Sequence, residues 1–163
     1  YGFFIAAFLH LPIPLGVVEL GHIVLRRYGY MCDECKRTIV VSDQAPKAIG
    51  PYSAGVIAGR LVYTAGQLGI DPATGDIVPG GVQEETRQAL KNLSAILEAA
   101  GSNLASVVKT TVFLRDIADF SIMNQVYGTF FTESPPARSA FQVTALPKGA
   151  AVEIEAVAVI PCV

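Results

Sequence analysis

The chain has 163 residues, 12 Lys and Arg against 14 Asp and Glu, and 52% of its residues in the apolar set, which fits one globular domain of ordinary size. A formal net charge of -2 offers no electrostatic footprint for a dedicated nucleic-acid binder, and 16% charged residues is unlike a disordered composition. These totals hide a split. Residues 1–30 hold 19 apolar residues, three charges (Glu19, Arg26 and Arg27) and both histidines, His10 and His22. Removing them takes away two arginines and one glutamate and leaves 10 basic and 13 acidic side chains over residues 31–163, with no His and no Trp. Any chemistry there has to work without imidazole.

The segment from Tyr1 to Leu25 is apolar enough to raise the question of a membrane helix, which needs about 20 such residues. Pro12 and Pro14 interrupt it, Glu19 sits inside it, and the basic pair Arg26-Arg27 follows the apolar run instead of preceding it as in a secretory signal. We therefore expect residues 1–30 to lie outside the native domain, as upstream sequence or a damaged targeting segment; as an anchor, they would hold the folded part on the cytoplasmic side. Residues 31–39 read as an N-terminal tail and 40–163 as one domain, with no membrane association expected for 31–163. Cys32, Cys35 and Cys162 are an odd count, and the Cys32-Asp33-Glu34-Cys35 spacing lacks a second ligand pair. They read as incidental thiols of a reduced, intracellular protein.

Within the domain, Ile39 to Ser42 is a short β-branched run. Val56 to Ala58, a Gly59-Arg60 turn and Leu61 to Ala65 predict a hairpin, and residues 71–76 (DPATGD) an exposed loop. From Val82 the period changes: Val82, Thr86, Ala89, Leu90, Leu93, Ile96, Leu97 and Ala100 recur at helical steps, with Glu84, Glu85, Arg87, Lys91 and Glu98 opposite and Gly101 as the stop. Val107 to Leu114 predicts a central strand buried on both faces. A second helix runs from about Ile117 to Phe131, with Asp116 or Asp119 at its start and Pro135-Pro136 after its end. Ala137 to Thr144 and Ala151 to Val159 alternate as two strands, which the short Leu146–Gly149 connection predicts to be an antiparallel hairpin.

The order β-β-β-α-β-α-β-β makes a two-layer α+β domain, a mixed sheet with both helices on one face. The other face then needs cover that one domain of this size cannot supply, which predicts an oligomer whose sheets pack together. Pairing the last two strands as a hairpin places Arg138, Gln142, Glu153 and Glu155 on one polar face. Arg138 there reads either as a planar clamp for a carboxylate or as half of a cross-strand Arg–Glu pair. Glu155 reads as a structural partner for a neighbouring chain or solvent.

Five stretches carry a resemblance to a known family. KAIGPYSAGVI at 47–57, TAGQLGIDPATGDIV at 64–78, VVKTTVFLRDIADFSIMNQVY at 107–127, PARSAFQV at 136–143 and LPKGAAVEIEAVAV at 146–159 resemble the RidA family, also called YjgF. The resemblance runs from about Val40 to Val159. It implies a chorismate-mutase-like fold, a homotrimer with sites in the clefts between subunits, and 2-iminobutanoate/2-iminopropanoate deaminase activity on reactive imines and enamines such as 2-aminoacrylate. It implies no metal, no cofactor and no nucleic-acid partner, and a cytoplasmic location, or a mitochondrial one in a eukaryote.

Carried across by motif, the family's carboxylate-binding arginine falls on Arg138, its cleft tyrosine on Tyr52, its glutamate on Glu153 and its backbone contact to the substrate carboxylate on Gly66. Asn124 matches a further polar cleft position. Ala140 stands where the family often has cysteine, which removes any thiol-based role and leaves a backbone contact there. Physically, an imine conjugated to a carboxylate is already electrophilic, so a clamp, a positioned water and a proton relay suffice. Arg138 would hold the carboxylate, Glu153 would orient or activate the water, and Tyr52 would close the cleft or pack as an ordinary core-edge tyrosine. Two alternatives stand beside this: a non-catalytic trimer that binds small carboxylates or stabilises proteins, and an endoribonuclease, disfavoured by the missing histidine and the net acidic charge.

Overall fold

The structure, a computed structural model, describes residues 37–162. The leader at 1–30, Cys32 and Cys35 lie outside the described residues. One mixed sheet carries seven strands: β1 (Arg37–Val40), β2 (Gly55–Ala58), β3 (Leu61–Thr64), β4 (Gln67–Leu68), β5 (Val107–Leu114), β6 (Ala137–Gln142) and β7 (Val152–Val159). Its spatial order is β1-β2-β3-β7-β5-β6, with β4 beside β7. Helices α1 (Gly81–Ala99) and α2 (Phe120–Phe130) pack on one face, as the apolar periodicity predicts.

Helix α1 buries Val82, Thr86, Ala89, Leu90, Leu93, Ile96 and Leu97 against Val62, Val152, Ile154, Ala156 and Ala158 of the sheet. Its end is a Schellman turn: Gly101, at φ 75, donates to the Glu98 carbonyl at 3.0 Å while Ser102 N–H donates to Leu97 at 2.8 Å. Before α2 comes a short 3₁₀ turn, Ile117–Asp119, capped by the Asp116 carboxylate accepting from Ala118 N–H at 2.9 Å. The first strand lies earlier than its predicted span of Ile39 to Ser42 and begins inside the segment read as a tail.

Three other expectations need correction. First, β6 and β7 are not a hairpin. β5 lies between them, parallel to β6 and antiparallel to β7. The β5-α2-β6 stretch is a crossover unit, and a helix of this length returns the chain parallel to the strand it left. Second, β5 is fully covered on one face only: Thr110, Val112 and Leu114 are buried under the helices, while Thr111 and Phe113 on the other face are half-exposed. Third, Glu85 is not on the solvent side of α1. It is 5% exposed, and its carboxylate accepts from Ala151 N–H at 2.6 Å.

Asn92, only 1% exposed, makes a second buried polar link from α1. Its amide donates to the carbonyls of Leu68 at 3.1 Å and Ile70 at 2.8 Å, and its oxygen accepts from Gln88 at 2.8 Å. Thus α1 grips β4, a two-residue strand with little ladder of its own. Gly69 completes the approach, since a side chain there would run into the Glu85 backbone.

Among the described residues, nothing covers the sheet face away from the helices. Ile39 (57%), Tyr63 (46%) and Phe141 (45%) are exposed large apolar side chains. The registers that pair Ile39 with Val56 and Val56 with Tyr63 put these on one face. Phe113 meets Phe141 edge-on at 5.3 Å on the same side.

Asn92→Ala removes the donor shared by two carbonyls and is expected to cost about 2–5 kcal/mol of stability. Ser94→Ala, at an exposed bond to Glu98, should stay within about 0.5 kcal/mol. Urea denaturation midpoints of the two variants check this.

Candidate active site

The predicted site residues fall into two groups on opposite faces of the sheet. Val152, Ile154, Ala156 and Ala158 of β7 point at the helices, so Glu153 and Glu155 emerge on the bare face. β6 alternates the other way round: Arg138 is the register partner of Thr110, which bonds to α2, so Arg138 and Ala140 lie on the helix side. The expected common face of Arg138, Gln142, Glu153 and Glu155 therefore does not exist within one chain. With β5 inserted, the two strands are not partners and the hairpin register has no meaning.

On the bare side, a cleft of about 640 Å3 is lined by Tyr52, Gly66 and Glu153 together with Lys47, Ile70 and Pro147. β3 and β4 run end to end along β7 but are one residue out of step: Tyr63 pairs with Val157, yet Gln67 pairs with Ile154. The extra residue makes a bulge across Thr64–Gly66, the kind of irregularity that re-aims groups beside a site. Its open ladder position is filled by Thr64 Oγ1, which accepts from Ala156 N–H at 2.9 Å. Gly66 then lies flat against the Glu153 carboxylate, where any Cβ would overlap it. Gln67 braces the bulge through its amide, which donates to the carbonyls of Ala65 at 3.3 Å and Gly66 at 3.2 Å.

Glu153 is half-buried, and its carboxyl is raised above the ordinary value of 4.5, first by loss of solvent and second by the like charge of Glu155. Such a group holds and releases a proton nearer neutrality than a free carboxylate. Tyr52 is 51% exposed at the cleft wall, its hydroxyl accepting from Ile49 N–H at 3.4 Å.

On the helix side, the Arg138 Nη2 donates to Asn124 Oδ1 at 2.7 Å. Its guanidinium carbon lies 4.5 Å from the centre of the Tyr127 ring and 5.6 Å from that of Phe120. Among the described residues no carboxylate is within ion-pair distance of Arg138, so the cross-strand Arg–Glu pair is not formed here. Phe120 and Tyr127 had no place in the sequence reading, although with Asn124 they form a stripe at helical spacing that signals one shared face. Burial raises the Tyr127 hydroxyl above 10.0, while its bond to Thr110 and the Arg138 charge pull it the other way. Among the described residues no group of three His, Cys, Asp or Glu side chains converges as a metal site would, and no helix is long and apolar enough to cross a membrane. Cys162 is a free, exposed thiol.

Residues 42–160 match the Endoribonuclease L-PSP family. The chain is 58% identical over 123 residues to the 2-iminobutanoate/2-iminopropanoate deaminase of Bos taurus, covering 76% of this chain and 90% of that one. It is 53% identical, with the same coverage, to the protein of the same name from Homo sapiens. Two solved structures from E. coli are similar: the YjgF gene product, at TM-score 0.73 and 45% identity over 76% of this chain and 99% of the other, and TdcF with bound serine, at TM-score 0.72 and 45% identity over 75% and 98%.

Because the folded state raises the Glu153 carboxyl, it binds the proton more tightly than the unfolded chain does. Below pH 4.5 both states are protonated and nothing is lost; as pH rises through the folded value, stability falls to a lower plateau. Glu153→Gln is therefore expected to raise the melting temperature at pH 7, with the gain shrinking toward zero below pH 4.5. Melting curves of both proteins across pH check the sign.

Proposed function

The chain belongs to the Endoribonuclease L-PSP family, and on that premise we propose that it is a 2-iminobutanoate/2-iminopropanoate deaminase, hydrolysing carboxylate-bearing imines and enamines to 2-oxo acids and ammonia. Relatives at 53% and 58% identity bear that name. The observation that carries the reading at residue level is the divided site. An arginine with no carboxylate partner among the described residues waits at one sheet edge, and a carboxyl with raised proton affinity lines a cleft on the other face.

Opposite faces of one sheet cannot close on one small molecule, but two copies can bring them together. The bare apolar face supplies the contact surface, and a cyclic homotrimer repeats that contact three times without leaving an open end. Arg138 and Asn124 of one copy then face Tyr52, Gly66 and Glu153 of the next. Serine bound to the TdcF relative supports an amino-acid-like carboxylate as the ligand class.

In this site Arg138 grips the carboxylate through paired N–H donors, and the Gly66 and Ala140 backbones flank it. An enamine takes a proton on its terminal carbon and gives one up from its nitrogen, becoming the imine. Water adds to the imine carbon, giving its proton to Glu153 as the C–O bond forms. Glu153 returns that proton to nitrogen to give the carbinolamine, then takes the proton of its new hydroxyl and delivers it to the nitrogen as the C–N bond breaks, so that the C=O bond forms and ammonia leaves behind a 2-oxo acid. One water is consumed, and Glu153 ends as it began. Tyr52, at the cleft wall, shields the site and relays a proton.

The family's description also names an endoribonuclease, which is the second reading. RNA cleavage that persists in highly purified protein and vanishes with Arg138→Ala supports it, and cleavage unchanged by that substitution counts against RNA cleavage at this site.

Three results test the deaminase reading. With 2-aminoacrylate generated in situ, Arg138→Ala should lower kcat/KM by at least about 30-fold, and a wild-type rate no faster than the variant's rejects the enzyme. Co-assembled Arg138→Ala and Glu153→Gln chains should recover about a quarter of wild-type activity, the fraction of interfaces in random mixing that combine both intact halves. No recovery, or a monomer by light scattering, rejects the shared site.

A further inference from the structure

The deaminase reading makes Arg138 the carboxylate clamp but leaves open what keeps a long, half-exposed side chain on an edge strand in one orientation. Arginine has considerable rotamer freedom, and a clamp that must be frozen at each encounter loses affinity. Resting on that reading of Arg138, we propose that Tyr127 is its positioning residue, the ring face carrying the guanidinium and the hydroxyl tying the ring to β5.

Tyr127 is itself held at several points. It is 4% exposed, its hydroxyl is 2.8 Å from Thr110 Oγ1, and its ring packs on Phe131 with centres 4.5 Å apart. Thr110 is the direct register partner of Arg138, so the residue that fixes the ring stands beside the residue the ring supports. The guanidinium carbon lies 4.5 Å from the ring centre, well inside the range of cation–π attraction. Asn124 occupies one donor nitrogen, and a guanidinium has five N–H groups in a planar fork.

The nature of the partners matters as much as their distance. A carboxylate would hold Arg138 more strongly, but it would neutralise the charge and compete with the incoming carboxylate. A phenol ring and a carboxamide hold the fork in place and leave its charge uncompensated. Burial keeps the Tyr127 phenol protonated, so it brings no negative charge.

The test separates the ring face from the hydroxyl. Binding of 2-oxobutanoate, a non-reacting carboxylate, is measured by NMR titration of the assembled full chain, and KM is measured with 2-aminoacrylate. Tyr127→Phe loses the bond to Thr110 and should melt lower, yet keep binding and KM within about twofold. Tyr127→Leu should weaken binding and raise KM together by about 3- to 30-fold, with kcat nearly unchanged. Wild-type binding by the Leu variant, or a Phe variant as weak as Leu, overturns the proposal. If the Leu variant does not fold, the wild type still decides: the Arg138 Nε–H resonance should be displaced by the ring current of Tyr127, and a free-arginine position overturns the proposal. Binding is read apart from turnover, so absent turnover with normal 2-oxobutanoate binding would refute the deaminase reading alone.

Discussion

Side chains on a strand alternate strictly between two faces, and that constraint governs everything this protein can do with its charged residues. Because β5 separates β6 from β7, the phase of each outer strand is set against β5. Thr110 carries Arg138 to the helix side, and Phe113 carries Glu153 to the other. Arg138 and Glu153 are thus kept apart within one chain and cannot neutralise each other there.

The surroundings set each of the two groups in a different way. Around Glu153 the device is electrostatic: partial burial and the neighbouring Glu155 raise its proton affinity, and a bulge at Gly66 brings backbone against the carboxylate where no side chain fits. That bulge leads into a weak element, the two residues of β4, which α1 holds through the Asn92 amide on the carbonyls of Leu68 and Ile70. Around Arg138 the device is cation–π attraction and a hydrogen bond, an aromatic and amide cradle on α2 that leaves its charge uncompensated. Hence α1 supports the surroundings of Glu153 and α2 those of Arg138.

Much of the fold is legible in local pattern. The Val82–Ala100 periodicity and the glycine after it describe α1 to within a residue or two, and the alternation in residues 137–144 and 151–159 identifies both strands, with the inward face of the second but not of the first. The errors share one cause. The hairpin, the buried second face of β5 and the solvent-facing Glu85 are all statements about what lies next to an element, and local sequence does not carry that. Glu85 is the clearest instance, since its position on α1 looks polar and exposed until Ala151 N–H arrives from 66 residues away. β4 was invisible for a related reason: two residues have no period, and only pairing with β7 makes them a strand.

The identities of Arg138, Glu153, Tyr52, Gly66 and Asn124 came from sequence motifs, and so did the limit that no imidazole serves the domain, because composition and short-range spacing are written directly in the chain. Tertiary structure alone decided which of these residues share a face, because strand neighbours are chosen by burial across the whole sheet. It placed Tyr52, Gly66 and Glu153 together, set Arg138 on Tyr127 and Asn124, and put the width of the sheet between the two groups.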